Sequence, residues 1–247
     1  DSVNACTRYD TVTRYGERPP SAPRSFLFSL ITVCCVKEQL DCGVRYCDLR
    51  IAHRPNDNSS DLYFYHGVYT TITVEVHQTE LQLDSHPVFS HFQGLNQELH
   101  TLLISTIKSV FNSKLCPKTD AVTLRSLWSS GYQAIVSYEH NLANCHTALW
   151  SHIPYWWANN VRKQTRPSGG FFVTGINLTE DLKYICSHPT ESLKDMVMAT
   201  YPTLLGWVRE QKPGSGADSL NIIAADFVTE SEFIPTVIAL NENLLIE

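Results

Sequence analysis

Four apolar runs in this chain each close on an ionisable residue, and no other feature limits the fold as much. Residues 43–52 (GVRYCDLRIA) carry Asp48 and Arg50, and residues 61–67 (DLYFYHG) carry His66. Residues 133–139 (QAIVSYE) end on Glu139, and residues 221–228 (NIIAADFV) carry Asp226. Runs rich in β-branched and aromatic residues, bounded by polar turns such as RPNDNSS at 54–60, read as strands. Residues 171–177 (FFVTGIN) form a fifth candidate. Between the strands, residues 95–111 space Leu95, Leu99, Leu102, Leu103, Thr106, Ile107 and Val110 three and four apart, which predicts an amphipathic helix. Shorter helices are expected at 37–40, stopped by Gly43, and at 123–128. Residues 192–210 are expected to be helical in parts and broken at Pro202, and 233–245 to form a closing helix. Strands alternating with helices build parallel βα units and one α/β domain. A doubly wound sheet would carry a Gly-rich phosphate loop after an early strand, and the sequence has none. The expected fold is therefore α/β, a (β/α)8 TIM-type barrel.

Composition supports one such domain. The chain has 247 residues, 43% hydrophobic and 18% charged, enough to bury a core and too apolar for a disordered chain. Its formal net charge of -6 lacks the basic footprint of a nucleic-acid partner. No apolar run reaches the length of a transmembrane segment. The longest candidate, residues 25–36, reads as a buried helix or strand. The 8 cysteines are scattered without a C-x-x-C pair, which fits reduced thiols and a cytoplasmic location. Residues 1–32 form a poorly patterned N-terminal segment, and residues 33–247 the barrel domain.

The ionisable endings suggest chemistry. Asp48 and Arg50 are two apart, so they share one face of a strand. Active sites of (β/α)8 barrels collect at the C-terminal ends of the strands. Arginine offers a planar fork matched to phosphate, and histidine moves protons near neutral pH. A carboxylate fixes the tautomer of such a histidine. This set suits cleavage of a phosphate ester, and it equally suits a core ion pair with a buried histidine.

Several segments resemble the X domain of phosphatidylinositol-specific phospholipases C. They are GVRYCDLRIAH at 43–53, LYFYHGVY at 62–69, TLRSLW at 123–128, IVSYE at 135–139, IPYWWAN at 153–159, GGFFVTGINLT at 169–179 and NIIAADFV at 221–228. The likeness is greatest to X domain-containing proteins that lack regulatory modules, and it covers most of the chain from about Gln39. The combination of D-L-R with a later Y-H-G is its most specific part. The resemblance implies a barrel enzyme that cleaves phosphatidylinositol at membranes by peripheral contact. The inositol 2-hydroxyl attacks phosphorus, diacylglycerol leaves, and the cyclic phosphate is then hydrolysed. By the same resemblance His66 matches the histidine that protonates the leaving group, and Arg50 matches the arginine that stabilises phosphate in metal-free members. Asp226 matches the carboxylate that orients the first histidine. Calcium-dependent members carry a carboxylate at the place of Arg50, beside the one matched by Asp48, and Glu139 matches another of their ligands. A cation at Arg50 opposes Ca²⁺ there, so no metal cofactor is expected. Glu139, Tyr155, Trp156 and Asn177 are the substrate-binding candidates, the aromatic pair in a loop at a strand end.

The sequence also departs from the family. The first histidine belongs to a G-S-H-D-S motif, whereas this chain opens on Asp1-Ser2, so Asp1 matches the motif while its histidine and the preceding strand are expected to be absent. An apolar strand is missed after His86-Pro87, a helix is missed after Val161, and residues 7–29 resemble nothing in the family. The barrel is therefore expected to be distorted or incomplete, with one or more strands missing. His53, His86, His91, His140 and His152 read as surface or loop histidines. Two functions stand: a phosphatidylinositol phosphodiesterase, or a non-catalytic X-domain remnant that binds phosphoinositide headgroups or a partner.

Overall fold

The structure is a computed structural model and describes residues 4–8, 36–65, 69–74, 85–118, 122–151, 153, 155–157, 170–179, 181–214, 216 and 218–245. In chain order its first half comprises β1 (Asn4–Arg8), α1 (Val36–Asp41), β2 (Val44–Ala52), β3 (Tyr63–Tyr65), β4 (Tyr69–Thr73), β5 (His86–Gln93) and α2 (Gln97–Phe111). There follow α3 (Leu124–Ser130), β6 (Val136–Tyr138), β7 (Leu149–Trp150), β8 (Tyr155–Trp157) and β9 (Val173–Gly175). The chain ends with α4 (Leu182–Ser187), α5 (Leu193–Arg209), β10 (Ile222–Ala225) and α6 (Phe233–Ala239), the last extended by a 3-10 segment at Leu240–Leu245.

The strands pair in the order β7-β6-β5-β2-β1-β10-β9-β8, and every ladder along that path is parallel. Each parallel strand except β8 pairs with its predecessor in the chain, and β10 returns to β1, which is the neighbour order of a (β/α)8 barrel. Among the described residues no ladder joins β7 to β8. The expected distorted or incomplete barrel thus takes the form of one open seam, flanked by strands of 2 and 3 residues. The β3–β4 hairpin is antiparallel and attaches to the end of β2 through Ile51 and Ala52.

Strand alternation divides the core into two layers. Cys47, Leu49 and Ile51 of β2 pack outward against helices with Phe89, Tyr138, Ile223, Ile107 and Phe111. Tyr46 points the other way and meets Val88, Val173, Ile222 and Ala224 in the barrel interior. Asp48 and Arg50 follow Tyr46 on that inner face by the two-residue period. Gly43, at φ 109°, turns the chain into β2 directly beneath α6. A Cβ there would stand 3.1 Å from Ile234 and 3.2 Å from Ile238.

The helices obey local signals. Asn96 caps α2, its side chain accepting from the Leu99 amide at 2.9 Å. Thr123 and Ser126 form a reciprocal capping box on α3, and Ser192 and Asp195 form another on α5. The break expected at Pro202 does not occur, for α5 runs unbroken over 17 residues. Proline removes one helical hydrogen bond, but here its ring is exposed. Val197, Tyr201, Leu205 and Val208 hold the opposite face in the core. Ser192→Ala is expected to cost about 0.5–2 kcal/mol, read as a lower denaturant midpoint. An unchanged midpoint would show that the cap contributes nothing.

Other expectations also shift. The N-terminal segment was expected to lack pattern, yet Asn4–Arg8 is a strand between β2 and β10, with Arg8 in register with Asp48. Its five residues carry no alternating apolar run, and the two flanking ladders define it. The stretch after His86-Pro87 forms most of β5 itself. Residues 25–35 and the linker after Val161 lie outside the described residues.

Candidate active site

The carboxyl ends of the parallel strands bring together residues far apart in the chain. Asp48 and Arg50 arrive on β2, Ser90 on β5, Glu139 just after β6, Asn177 just after β9 and Asp226 just after β10. The Arg50 Nε lies 3.6 Å from Asp48 Oδ2, and each side chain is 13% exposed. That separation is an ion pair rather than a hydrogen bond, and Arg50 Nε has no hydrogen-bond acceptor among the described residues. The other Asp48 oxygen, Oδ1, accepts the Ser90 hydroxyl at 2.9 Å.

Asp226 is held from several directions. Asn177 Nδ2 donates to its Oδ1 at 2.8 Å, and both residues are buried. From α5 the Tyr201 hydroxyl donates to the Asp226 backbone carbonyl at 2.6 Å. Phe227 follows at φ 54° and ψ 36°, a left-handed conformation that a bulky residue seldom adopts. Burial of the Phe227 ring, 1% exposed, offsets that strain and fixes the direction of the preceding carboxylate. Asn177 therefore acts as a support for Asp226. Glu139 is partly buried, and its amide donates to the Phe89 carbonyl at 2.9 Å, which ties the end of β6 to β5.

Two catalytic candidates, His66 and Asp1, lie outside the described residues, although β3 ends at Tyr65, one residue before His66. Tyr155 and Trp156 were expected in a loop. They lie instead on strand β8, in register with Val173 and Thr174 of β9. Among the described residues no group of three His, Cys, Asp or Glu side chains could hold a metal ion.

The histidines divide by environment. His53 is a loop residue, its Nε2 2.9 Å from the Ser59 carbonyl. His86 was expected at the surface, but it is buried in the barrel interior, edge-on to Tyr46 and Phe171. Its Nε2 lies 3.2 Å from Ser137 Oγ, and burial pushes its pKa down to about 3. Exposed His140 stacks on buried His100, with ring centroids 3.9 Å apart. His100 Nδ1 lies 2.7 Å from the Tyr138 hydroxyl, and burial, helped by His140, lowers its pKa to about 4. This pair walls a cleft of about 370 Å³ between the start of α2 and the turn after Glu139. Ser90, Tyr138 and His100 were not singled out in the sequence. The inward parity of Ser90 with His86 and Val88 was the one available signal.

The fold and this polar rim define a class. Solved phosphatidylinositol-specific phospholipases C share the architecture at low sequence identity. The Listeria monocytogenes enzyme superposes with a TM-score of 0.55 at 13% identity, covering 85% of this chain and 83% of its own. A Staphylococcus aureus phosphatidylinositol-specific phospholipase C gives 0.57 at 8% identity, covering 82% and 81%. The protein has the TIM-type barrel fold that these enzymes share. No family model matches the chain. Human PI-PLC X domain-containing protein 1 is 46% identical over 231 residues, covering 85% of this chain and 71% of the relative. The Danio rerio protein of the same name is 41% identical over 229 residues, covering 84% and 74%. The chain belongs to the family of PI-PLC X domain-containing proteins.

Proposed function

We propose that this protein is a metal-independent phosphoric diester hydrolase that cleaves phosphatidylinositol into diacylglycerol and an inositol phosphate. One observation carries the reading: Arg50 stands at the carboxyl end of the barrel beside Asp48, with a buried Nε that has no acceptor among the described residues. A phosphate oxygen is the acceptor that its planar, permanently charged fork fits best. Two likenesses support it, to solved phospholipases C and to relatives named for the phosphatidylinositol-specific X domain.

In this reading Arg50 binds the phosphate and stabilises the charge that grows on it. His66 protonates the departing diacylglycerol oxygen, and Asp226, braced by Asn177, orients the groups around the inositol. Of Tyr155 and Trp156, adjacent on β8 and so on opposite faces of the strand, one contacts the headgroup. The protein acts on a membrane surface from the cytoplasm by peripheral contact. No helix among the described residues is long and apolar enough to cross a membrane.

The test is release of inositol phosphate from phosphatidylinositol vesicles, with chelator present and His66→Ala as control. Release that survives the chelator and drops by about 10²–10⁴-fold in the variant is expected. A folded chain that binds the vesicles without releasing product would favour the non-catalytic headgroup binder instead.

A further inference from the structure

Arg50 and Asp48 stand close enough to pair fully, yet they do not. Two residues apart on one strand face, their side chains approach through Nε and Oδ2 at 3.6 Å. A guanidinium beside a carboxylate ordinarily closes to a charge-assisted hydrogen bond of about 2.7–2.9 Å. Here the Nε is buried and has no acceptor among the described residues, an unfavourable condition for a charged donor. Something therefore holds the carboxylate back.

Ser90 is placed to do so. It lies opposite Arg50 in the β2–β5 ladder, and its hydroxyl reaches diagonally across to Asp48. There it donates to Oδ1 at 2.9 Å, drawing the carboxylate toward β5 by the oxygen that does not face Arg50. The hydroxyl is itself fixed in direction. Just beyond it the ladder shifts, since Arg50 pairs with Ser90 and Ala52 with Gln93. His91 sits in the resulting bulge at φ 48°, and bulges re-aim side chains beside functional sites. The outcome is that His91 Nδ1 lies 2.9 Å from Ser90 Oγ. Ser90 has one hydroxyl proton, and an ionised Asp48 can only accept it. His91 Nδ1–H is then the donor toward Ser90 Oγ, which keeps the serine from turning away. Gly94 ends the bulge at φ 73°, where a Cβ would stand 2.9 Å from the His53 carbonyl oxygen. Ser90 is 2% exposed, so solvent has little access to either bond.

We propose that Ser90 is a positioning residue for phosphate binding. By holding Asp48 through Oδ1, it keeps Oδ2 from closing on Arg50 and leaves the guanidinium fork for the phosphodiester. This rests on the phosphodiesterase reading above. Asp48 still supplies the counter-charge that a partly buried arginine requires. Without the Ser90 hydroxyl, the carboxylate turns and takes Nε as its partner. A phosphate oxygen must then displace a carboxylate that already occupies the donors. In this role Ser90 forms no bond to the substrate and acts through Asp48 on Arg50.

Three readouts test this on the full chain. In NMR of the wild type, the Arg50 Nε–H proton is expected at the position of a donor without a carboxylate acceptor. A downfield signal there overturns the proposal with no variant needed. Ser90→Ala is expected to move the signal downfield as Asp48 closes on it, and Ser90→Thr, which keeps the hydroxyl, to leave it in place. Release from phosphatidylinositol vesicles is expected to fall by about 10–10²-fold in kcat/KM for Ser90→Ala and to recover in Ser90→Thr. With Arg50→Lys already present, Ser90→Ala is expected to cost nothing further, since no fork is left to protect. A serine that only supports the strand would give additive losses and an unmoved Nε–H signal, and either result overturns the proposal. Titration with inorganic phosphate separates the two readings. No release from the wild type ends the phosphodiesterase reading, whereas phosphate binding as tight in Ser90→Ala as in the wild type overturns the positioning role.

Discussion

Arg50→Lys is expected to lower kcat on phosphatidylinositol by about 10²–10³-fold while leaving the fold intact. Lysine keeps the positive charge beside Asp48, so the partly buried carboxylate is not stranded without a counter-charge. What it loses is the planar fork, whose Nε sits buried without an acceptor among the described residues. A point charge on a flexible stem cannot present two parallel donors to phosphate oxygens. Vesicle release assays on both proteins, paired with thermal midpoints, separate the two effects. If Arg50→Lys turns over like the wild type, Arg50 contributes charge alone and the bidentate phosphate contact is wrong.

The second large effect is on stability in acid. His86 is 6% exposed in the barrel interior, and burial pushes its pKa from 6.5 down to about 3. Between those values the unfolded chain binds a proton that the folded chain refuses. Stability is therefore full above pH 6.5 and falls as the pH drops, by about 1 kcal/mol per unit, until about pH 3. His100, lowered to about 4 by burial and by His140, adds a loss of the same sign. Urea midpoints at pH 7 and pH 4.5 measure the difference. His86→Gln retains a polar partner for Ser137 but cannot titrate, so it is expected to flatten this dependence. An equal loss in the variant and the wild type would assign acid lability to other groups.

Strand and helix periods made much of this fold legible. The run at 43–52 is β2, the 95–111 pattern is α2, and the runs at 133–139, 171–177 and 221–228 contain β6, β9 and β10. Apolar residues recurring at these periods can bury one face in only one secondary structure, which is why the signal is local and readable. Capping residues behaved alike, since Thr123 and Asn96 act on amides within three residues of themselves. Asp48 and Arg50 were legible as a pair for the same reason, being two apart on one strand.

Where the sequence is silent, the deciding contacts are distant. Asn4–Arg8 becomes a strand because β2 and β10 offer it ladders, not because of its own composition. Pro202 stays inside a helix because Val197, Tyr201, Leu205 and Val208 hold the opposite face in the core. Asn177 meets Asp226 across 49 residues, and Ser90 meets Asp48 across 42. The sequence by itself determined the element types, the class of barrel and the charged strand endings, through interactions spanning a few residues. Only the tertiary structure decided that no ladder joins β7 to β8 among the described residues, that His86 is buried, and that a bulge turns His91 toward Ser90. Each of these depends on register between strands, and register is a property of two segments that neither one carries alone.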